Sequence, residues 1–385
     1  MTTQRRRFLR LCGAAGIAAL AGCSDSSGDD GTPAGSPEDG TPAETDGEDT
    51  SAETGGDDTQ TETGTTAPLT EQWSYRTMDN VNSSPAVAND TVYVGSSDNN
   101  LYAVSTDDGT EQWSFQTGDL VNSSPAVANG TVYVGSWDDN VYALSADDGT
   151  EQWSYETGAG VESSPVVVDD TVYIGSADTN VYALSADDGT EQWSFETEDY
   201  VYSSPAVASG TVYVGSDDNT VYALSAEDGT EQWSYETGDK VYSSPAVASG
   251  TVYVGSNDGN VYALSAADGT EQWSYETEDE VESSPVVVDD TVYVGSDDNT
   301  VYALSATDGT EQWSYETGDT VYSSPAVADD TVYVGSRDRN VYALSAQDGT
   351  EQESFETGGP VQSSPAVGDG TVYVGSFDSL YALST

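Results

Sequence analysis

Histidine is absent from the chain and cysteine is almost absent. The 385 residues include no histidine and two cysteines, Cys12 and Cys23, both near the start. Catalytic triads and imidazole or thiolate metal sites depend on these two residue types. From residue 24 onward the sequence therefore excludes such sites, and it also excludes disulfide bonds.

Basic residues are scarce as well. Eight Lys and Arg stand against 69 Asp and Glu, which gives a formal net charge of −61. Nucleic acids and anionic membrane surfaces are bound by clustered basic residues, so both are excluded as partners. Such a chain repels itself in dilute buffer, whereas at ~1 M salt the Debye length falls to roughly 3 Å. The composition is typical of an extreme halophile, and the ordered recurrence of 25 Tyr and 8 Trp argues against a disordered acidic protein.

Long apolar runs are also missing. The apolar run from Leu11 to Leu20 is too short to span a bilayer. The residues before it, Arg5-Arg6-Arg7-Phe8-Leu9-Arg10, resemble a twin-arginine export signal, and Leu20-Ala21-Gly22-Cys23 resembles a lipobox. These resemblances imply a signal peptide over residues 1–22, a lipid on Cys23, and a protein held at the extracellular face of the cytoplasmic membrane. The alternative is a plain cleaved signal with a chance cysteine.

Residues 23–69 contain few groups that could form a core. After Cys23 they are almost wholly Asp, Glu, Gly, Ser, Thr, Pro and Ala. This composition predicts a disordered acidic linker between the lipid and a folded domain over residues 70–385.

The remainder of the chain repeats every 40 residues. Each repeat contains four short segments rich in Val, Tyr, Ala and Trp: Ser-Ser-Pro-Ala-Val-Ala, Thr-Val-Tyr-Val-Gly-Ser, Val-Tyr-Ala-Leu-Ser and Glu-Gln-Trp-Ser-Tyr-Glu-Thr. Turn pairs such as Asn129-Gly130 and Asp148-Gly149 separate them. Four antiparallel strands (A to D) at this period predict the blade of a β-propeller.

The two ends of the repeat array predict how the ring closes. Both the Ser-Ser-Pro element and the Glu-Gln element occur eight times, but the first D segment, Glu71–Thr77, precedes any A segment. The last repeat ends after its C segment, Leu380–Ser384. We therefore expect an all-β, eight-bladed propeller of four-stranded antiparallel blades, in which the N-terminal strand completes the C-terminal blade and hides two sheet edges.

The passage from strand C into strand D resembles the tryptophan-docking motif of the pyrroloquinoline-quinone (PQQ) propeller family. Ala143, Gly149 and Trp153 match that motif, whereas Ser145 and Asp148 replace the family's Asp and Thr. The resemblance implies a structural, blade-to-blade docking role for Trp73, Trp113, Trp153, Trp193, Trp233, Trp273 and Trp313. Glu353 stands at the eighth position. We expect the weakest blade contact there, and we expect Glu353→Trp to raise the melting temperature.

The same family contains quinone- and Ca²⁺-dependent alcohol and glucose dehydrogenases. The vicinal cysteines and long insertions that those enzymes share are missing from this propeller. We therefore expect no catalytic residues, no metal and no cofactor, with PQQ and Ca²⁺ kept as the alternative. An Asp recurs in every B–C turn, from Asp98 to Asp378, either as a Ca²⁺ ligand or, as we favour, as an Asx turn.

The repeats differ from one another mainly in the D–A and B–C loops, which strand alternation places at the same end of the ring. The residue before Ser-Ser-Pro varies around the ring as Asn82, Asn122, Glu162, Tyr202, Tyr242, Glu282, Tyr322 and Gln362. The unusual loop residues are Trp137, Tyr200, Lys240, Arg337, Arg339 and Phe377. Arg and aromatic side chains are frequent anchors of recognition, so these six are the candidate partner face. The alternative is drift of unconstrained loop tips.

These features favour a monomeric, non-enzymatic cell-surface lipoprotein that acts as a protein-interaction or assembly scaffold. The chain resembles a lipoprotein component of the bacterial outer-membrane barrel-assembly machine that is also an eight-bladed propeller of this family. Two alternatives remain: a PQQ- and Ca²⁺-dependent dehydrogenase, and a carbohydrate- or envelope-binding module that uses exposed Trp137 and Phe377. The partner, whether a protein or an envelope component, is not identified by the sequence.

The charge predicts salt-dependent folding. Below a few tenths molar KCl, repulsion among the carboxylates is unscreened, and we expect the β-sheet circular dichroism to be lost. A circular dichroism series from molar to millimolar KCl measures this, and a spectrum indifferent to salt would contradict the halophilic interpretation.

Overall fold

A computed structural model describes residues 69–377 and 379–385 of the protein. Within them, 32 β-strands form eight separate four-stranded antiparallel sheets. The predicted signal peptide, the predicted lipid site at Cys23, the predicted linker up to residue 68 and Asp378 lie outside the described residues. Among the described residues, no helix has the length and apolar character needed to cross a membrane.

Each sheet is one blade, and the blades follow one another along the chain. Blades 1 to 4 comprise β2–β5 (Ala86–Ala88, Thr91–Gly95, Asn100–Ser105, Glu111–Gln116), β6–β9 (Ala126–Ala128, Thr131–Gly135, Asn140–Ser145, Glu151–Glu156), β10–β13 (Val166–Val168, Thr171–Gly175, Asn180–Ser185, Glu191–Glu196) and β14–β17 (Ala206–Ala208, Thr211–Gly215, Thr220–Ser225, Glu231–Glu236). Blades 5 to 8 comprise β18–β21 (Ala246–Ala248, Thr251–Gly255, Asn260–Ser265, Glu271–Glu276), β22–β25 (Val286–Val288, Thr291–Gly295, Thr300–Ser305, Glu311–Glu316), β26–β29 (Ala326–Ala328, Thr331–Gly335, Asn340–Ser345, Glu351–Glu356) and β30–β32 (Ala366–Gly368, Thr371–Ser376, Ser379–Ser384) with β1 (Thr70–Arg76).

Strand burial follows position within the blade. Strand B is buried along its whole length, as in Thr251–Gly255, because neighbouring blades cover both of its faces. Strand D alternates between exposed and more buried residues, as in Glu271–Glu276, since it forms the outer edge. Strand A has only three residues, shorter than the six expected, and begins after the proline. Proline cannot donate to a sheet ladder, and the two serines before it bond elsewhere.

The predicted closure is confirmed. Strand β1 pairs antiparallel with β32, with Thr70 opposite Ser384 and Arg76 opposite Ser379. The first described strand therefore becomes strand D of blade 8, and each of the two strands covers an edge that the other would leave open.

The seven tryptophans of strand D dock as predicted. Each indole is buried, and its Nε1–H donates to a backbone carbonyl of the following blade at 2.9–3.1 Å, as Trp113 does to Ala146. The ring also lies against the C–D turn glycine of that blade. Gly109 has a φ of 71°, and a Cβ there would come within 2.8 Å of the Trp73 ring. Only glycine tolerates both the positive φ and the close approach of the indole ring.

A ring of serines joins all eight blades near the axis. The second serine of each Ser-Ser-Pro donates its backbone N–H to the hydroxyl of its counterpart in the next blade, at 2.8–3.0 Å. The last bond runs from Ser364 to Ser84 and completes the circle. The first serine accepts from strand B of its own blade, as Ser83 does from Gly95. The recurrent Ser-Ser pair is therefore structural.

Leu69 replaces the missing indole between blades 7 and 8. Of the eight apolar clusters in the described residues, seven contain a docking tryptophan; the eighth contains Leu69 together with Ala343 and Leu383. Glu353 lies opposite Ala343, where tryptophan stands in other blades. The assignment of residue 69 to the linker was wrong, because its side chain is only 6% exposed.

We expect Leu69→Ala to lower the melting temperature by ~3–7 °C, because a buried leucine is lost. Leu120→Ala, in a D–A loop, is the control and should change it less. Glu353→Trp should raise the melting temperature more in the Leu69→Ala background than in the parent protein, since the indole and Leu69 compete for one cluster. Equal gains in both backgrounds, measured by thermal unfolding in molar KCl, would show that Leu69 does not substitute for the indole.

Candidate functional site: the axial mouth

The two variable loops of each blade meet at one end of the ring. The backbone N–H of the first B–C residue donates to a D–A carbonyl of the same blade, as Asp217 does to Tyr200 at 2.9 Å. The A strands of neighbouring blades contact one another, so they are the innermost strands, and the D–A loop leads directly into the serine ring. We call residues 80, 82 and 97, with their counterparts at each 40-residue step, the axial mouth.

One side of the axial mouth is aromatic. Trp137 stacks on Tyr202 with ring centroids 6.3 Å apart and an interplanar angle of 23°. Tyr202 also contacts Tyr200, at 5.7 Å, and Tyr242, at 5.8 Å. Trp137 lies close over Gly160, where a Cβ would come within 3.0 Å of the indole. The expectation of an exposed Trp137 is therefore wrong: the side chain is partly buried, because a glycine-containing loop lets it lie flat.

Lys240 is held within the same group. Its Nζ lies 2.8 Å from Asp217 Oδ2 and 3.1 Å from the Tyr242 hydroxyl, to which it donates. These hydrogen bonds raise the pKa of Lys240, so the ammonium stays protonated. The Asp217 side chain is 1% exposed, and burial raises its pKa even though Lys240 opposes the shift.

Three carboxylates gather on the next part of the mouth. Oxygens of Glu280, Glu282 and Asp297 lie within 4.8 Å of one another. Burial, followed by the charges of Asp297 and Glu280, raises the pKa of Glu282 to about 7. Burial raises the pKa of Asp297 to about 6, although the Tyr322 hydroxyl bonds to it. The Asn257 amide donates to Glu280 Oε2 at 2.8 Å.

Glu162 is a carboxylate without a hydrogen-bond or ion-pair partner among the described residues. Burial raises its pKa, and the negative charge of Asp217 adds to the effect. Its own charge is felt by Tyr202, whose pKa rises to about 12, chiefly through burial. It also contributes to the raised pKa of Glu282. Glu162 therefore couples the aromatic and acidic sides of the mouth electrostatically.

The buried polar side-chain atoms that lack a hydrogen-bond partner all belong to the axial mouth. In the described residues there are five such atoms: Asn80 Oδ1, Trp137 Nε1, Asp217 Oδ1, Asn257 Oδ1 and Asp297 Oδ1. Four of the five are acceptors. Buried polar groups are normally satisfied, so these atoms are ones that water or a bound group can satisfy, and in the described residues they are concentrated at the mouth.

The remaining predicted residues lie apart from the aromatic residues around Trp137 and from Lys240. Arg337 lies over the Tyr322 ring, 5.6 Å from its centroid, on the far side of the acidic residues. Arg339, at a φ of 80°, forms an ion pair with Glu356 at 2.9 Å and is half exposed. Phe377 is 56% exposed and packs against Gly359. The structure thus brings Trp137, Tyr200 and Lys240 together through Tyr202 and Tyr242. Phe377 is a mouth residue by position but packs against Gly359, and Arg339 pairs with Glu356 instead.

No motif in the sequence singles out Glu162, Asp217, Glu282 or Asp297 as candidate site residues. With 69 acidic residues in the chain, no carboxylate stands out by type. The available signal was positional, because these four occupy steps where most other repeats carry neutral residues.

The recurrent Asp of the B–C turn is an Asx-turn residue in blades 1 to 7. Asp138 Oδ1 accepts from the Asn140 N–H at 3.1 Å, while Oδ2 accepts from Tyr142 Oη at 2.8 Å and from the Gly118 N–H at 2.6 Å. These bonds occupy both carboxylate oxygens and fasten the B–C turn to strand C and to the D–A loop.

A family model described as the β-propeller of a beta-alanine-activating enzyme matches residues 60–251, and one described as outer membrane protein assembly factor BamB matches residues 238–385. A search of the curated proteins found no match. The fold and the docking tryptophans define an eight-bladed propeller of repeated blades.

Solved structures agree with this class. BamB from Moraxella catarrhalis has a TM-score of 0.72 at 18% identity, covering 82% of this chain and 100% of its own. A computationally designed protein, Ika8, has a TM-score of 0.74 at 16% identity, covering 83% and 99%. The quinohemoprotein alcohol dehydrogenase ADHIIG from Pseudomonas putida HK5 has a TM-score of 0.71 at 16% identity, covering 82% and 76%. The chain is a PQQ-like β-propeller.

The raised pKa of Glu282 makes stability depend on pH. The folded state holds this proton between pH 4.5 and about 7, so ionisation costs folding free energy as pH rises through that window. We expect Glu282→Gln to match the parent below pH 4.5 and to exceed its melting temperature by about 1–3 °C above pH 7. Glu278→Gln, exposed in the same loop, should show no such growth of the difference. A melting-temperature difference between Glu282→Gln and the parent that stays constant over this pH range would contradict a raised pKa of Glu282.

Proposed function

We propose that the protein is a non-enzymatic interaction scaffold that presents its axial mouth to a protein partner. The observation that carries the proposal is the contrast between the repeated blade framework and the variable axial mouth. The docking tryptophans, the serine ring and the buried B strands recur almost unchanged, whereas the mouth combines differing aromatic and charged residues with unsatisfied buried atoms. Groups that reduce stability and vary between otherwise equal positions are typical of binding sites.

The likeness to BamB supports a scaffold role, since that family model is described as an outer membrane protein assembly factor. The twin-arginine and lipobox resemblances support a location at the cell surface, with Cys23 carrying a lipid and residues 24–68 acting as a tether. In this proposal the lipid is the sole membrane contact, and the mouth is free to meet a protein or another envelope component.

The experiment places a photo-crosslinking amino acid at Tyr200, which is 45% exposed in the mouth, in the full chain within the producing cells. We expect defined protein adducts, because this side chain borders the aromatic group. The matched position is Glu227, exposed in a C–D turn at the opposite end of the ring. Adducts of equal number and size at both positions would contradict a specific mouth.

A second experiment introduces residues that already occur at equivalent positions of the ring. Trp137→Ala and Lys240→Thr introduce residues found at the equivalent positions Ala177 and Thr320, so folding should be retained. Together they should reduce the Tyr200 adducts about ten-fold or more, because they remove one aromatic anchor and one charged anchor. The control combines Thr307→Ala and Gln347→Ala in exposed C–D turns, and it should leave the adducts unchanged.

The second candidate is a PQQ- and Ca²⁺-dependent dehydrogenase, and the observation that favours it is the carboxylate group of Glu280, Glu282 and Asp297. Carboxylate oxygens are the ligands that Ca²⁺ prefers. Titration with PQQ and Ca²⁺ in molar KCl, followed by tryptophan fluorescence, separates the two functions. Saturable, Ca²⁺-dependent quenching would favour the dehydrogenase function over the scaffold function.

A further inference from the structure

The axial mouth has an excess of negative charge. The residues described above contribute five carboxylates, Glu162, Asp217, Glu280, Glu282 and Asp297, against two cations, Lys240 and Arg337. Lys240 is already paired with Asp217, and Arg337 lies over Tyr322. The positive charge of Arg337 acts on Asp297, so Glu162, Glu280 and Glu282 remain without a positive partner among the described residues, in positions where water is partly excluded.

The mouth also has an excess of hydrogen-bond acceptors. Asp217 is nine-tenths buried and more, yet its Oδ1 has no donor. Oδ1 atoms of Asn257 and Asp297 are buried without donors as well. Buried acceptors that lack donors cost free energy unless a ligand or water supplies the missing N–H or O–H groups. A ligand that carries both positive charge and hydrogen-bond donors complements the mouth on both counts.

Aromatic rings lie near the Glu162 carboxylate, since Trp137 covers Gly160, two residues before it in the chain. Trp137 and Tyr202 stack on each other, and the charge of Glu162 acts on Tyr202. A guanidinium or ammonium group gains from aromatic faces and from carboxylates at once, since the rings attract cations and the carboxylate accepts charge-assisted hydrogen bonds. Trp137 is also the single tryptophan of the chain outside strand D, so its placement is not required for blade docking.

We propose that the axial mouth receives an arginine or lysine side chain of the partner protein, held between the Trp137–Tyr202 rings and the Glu162 carboxylate. The inference rests on the proposed function and names the chemistry of its partner. A divalent cation is the competing guest. It fits the oxygens of Glu280, Glu282 and Asp297, but it accounts neither for the aromatic border nor for Glu162 and Asp217 on the other side of the mouth.

The test follows the ¹⁹F NMR spectrum of the full chain labelled with 5-fluorotryptophan, in ~1 M KCl so that non-specific attraction is screened. The eight tryptophans give eight signals, and Trp137→Phe identifies that of Trp137. N-acetyl-arginine amide is the probe, and N-acetyl-citrulline amide is its uncharged counterpart of the same shape. We expect the arginine probe to shift the Trp137 signal saturably, the citrulline probe to leave it in place, and the seven docking tryptophans to serve as internal controls.

Glu162→Gln should weaken the arginine probe about ten-fold or more, because the carboxylate is lost. Glutamine already stands at the equivalent position 362, so the fold should tolerate it. The matched control is Glu198→Gln, an exposed carboxylate at the start of the blade 4 D–A loop, which should change the affinity less than about two-fold.

Three results would overturn the inference: equal shifts with arginine and citrulline probes, an unchanged affinity in Glu162→Gln, or a Trp137 shift produced by CaCl₂ and not by the arginine probe. The crosslinking experiment separates this inference from the proposed function. Adducts at Tyr200 without probe binding would support the scaffold function and refute the binding of a cationic side chain. Probe binding without adducts would refute the scaffold function and indicate a site for a free organic cation.

Discussion

The pairing of β1 with β32 is the constraint on which the other blade contacts depend. Each tryptophan needs a following blade to supply a carbonyl and a glycine turn, and each serine N–H needs a following hydroxyl. These contacts are therefore complete only in a closed ring. Closure joins strands from opposite ends of the repeat array, and it also removes the turn onto which an eighth tryptophan would dock. Leu69, which enters just before β1, fills the cluster that has no indole.

A frame of equal blades allows an unequal site. Because the ring is held by backbone acceptors, glycines and serines that recur at every step, the loops at the axial mouth can vary without changing the blades. The mouth uses that freedom to bring Trp137, Tyr202 and Glu162 together on one side and Glu280, Glu282 and Asp297 on the other. Burial of like charges raises their pKa values and reduces stability, and such arrangements are characteristic of functional sites.

The similar structures show why the fold does not decide the function. A bacterial BamB, a designed protein and a quinohemoprotein dehydrogenase share this propeller with the chain at 16–18% identity. What differs among proteins of one fold is the set of side chains that the loops present. In this chain those side chains are an aromatic group, unpaired carboxylates and acceptors without donors, an arrangement complementary to a cation.

The sequence by itself determined the number of blades, the four strands in each, the closure and the docking of seven tryptophans, because these follow from a 40-residue period, local turn chemistry and the order of the end segments. It also placed Trp137, Tyr200 and Lys240 in variable loops at one end. Only the tertiary structure decided that Leu69 belongs to the core, that Trp137 lies flat over Gly160, and that burial at the axial mouth raises the pKa values of Glu162, Asp217 and Glu282. The reason is that burial and neighbouring charge belong to residues from different blades, and no local pattern among 69 acidic residues records which of them the ring brings together.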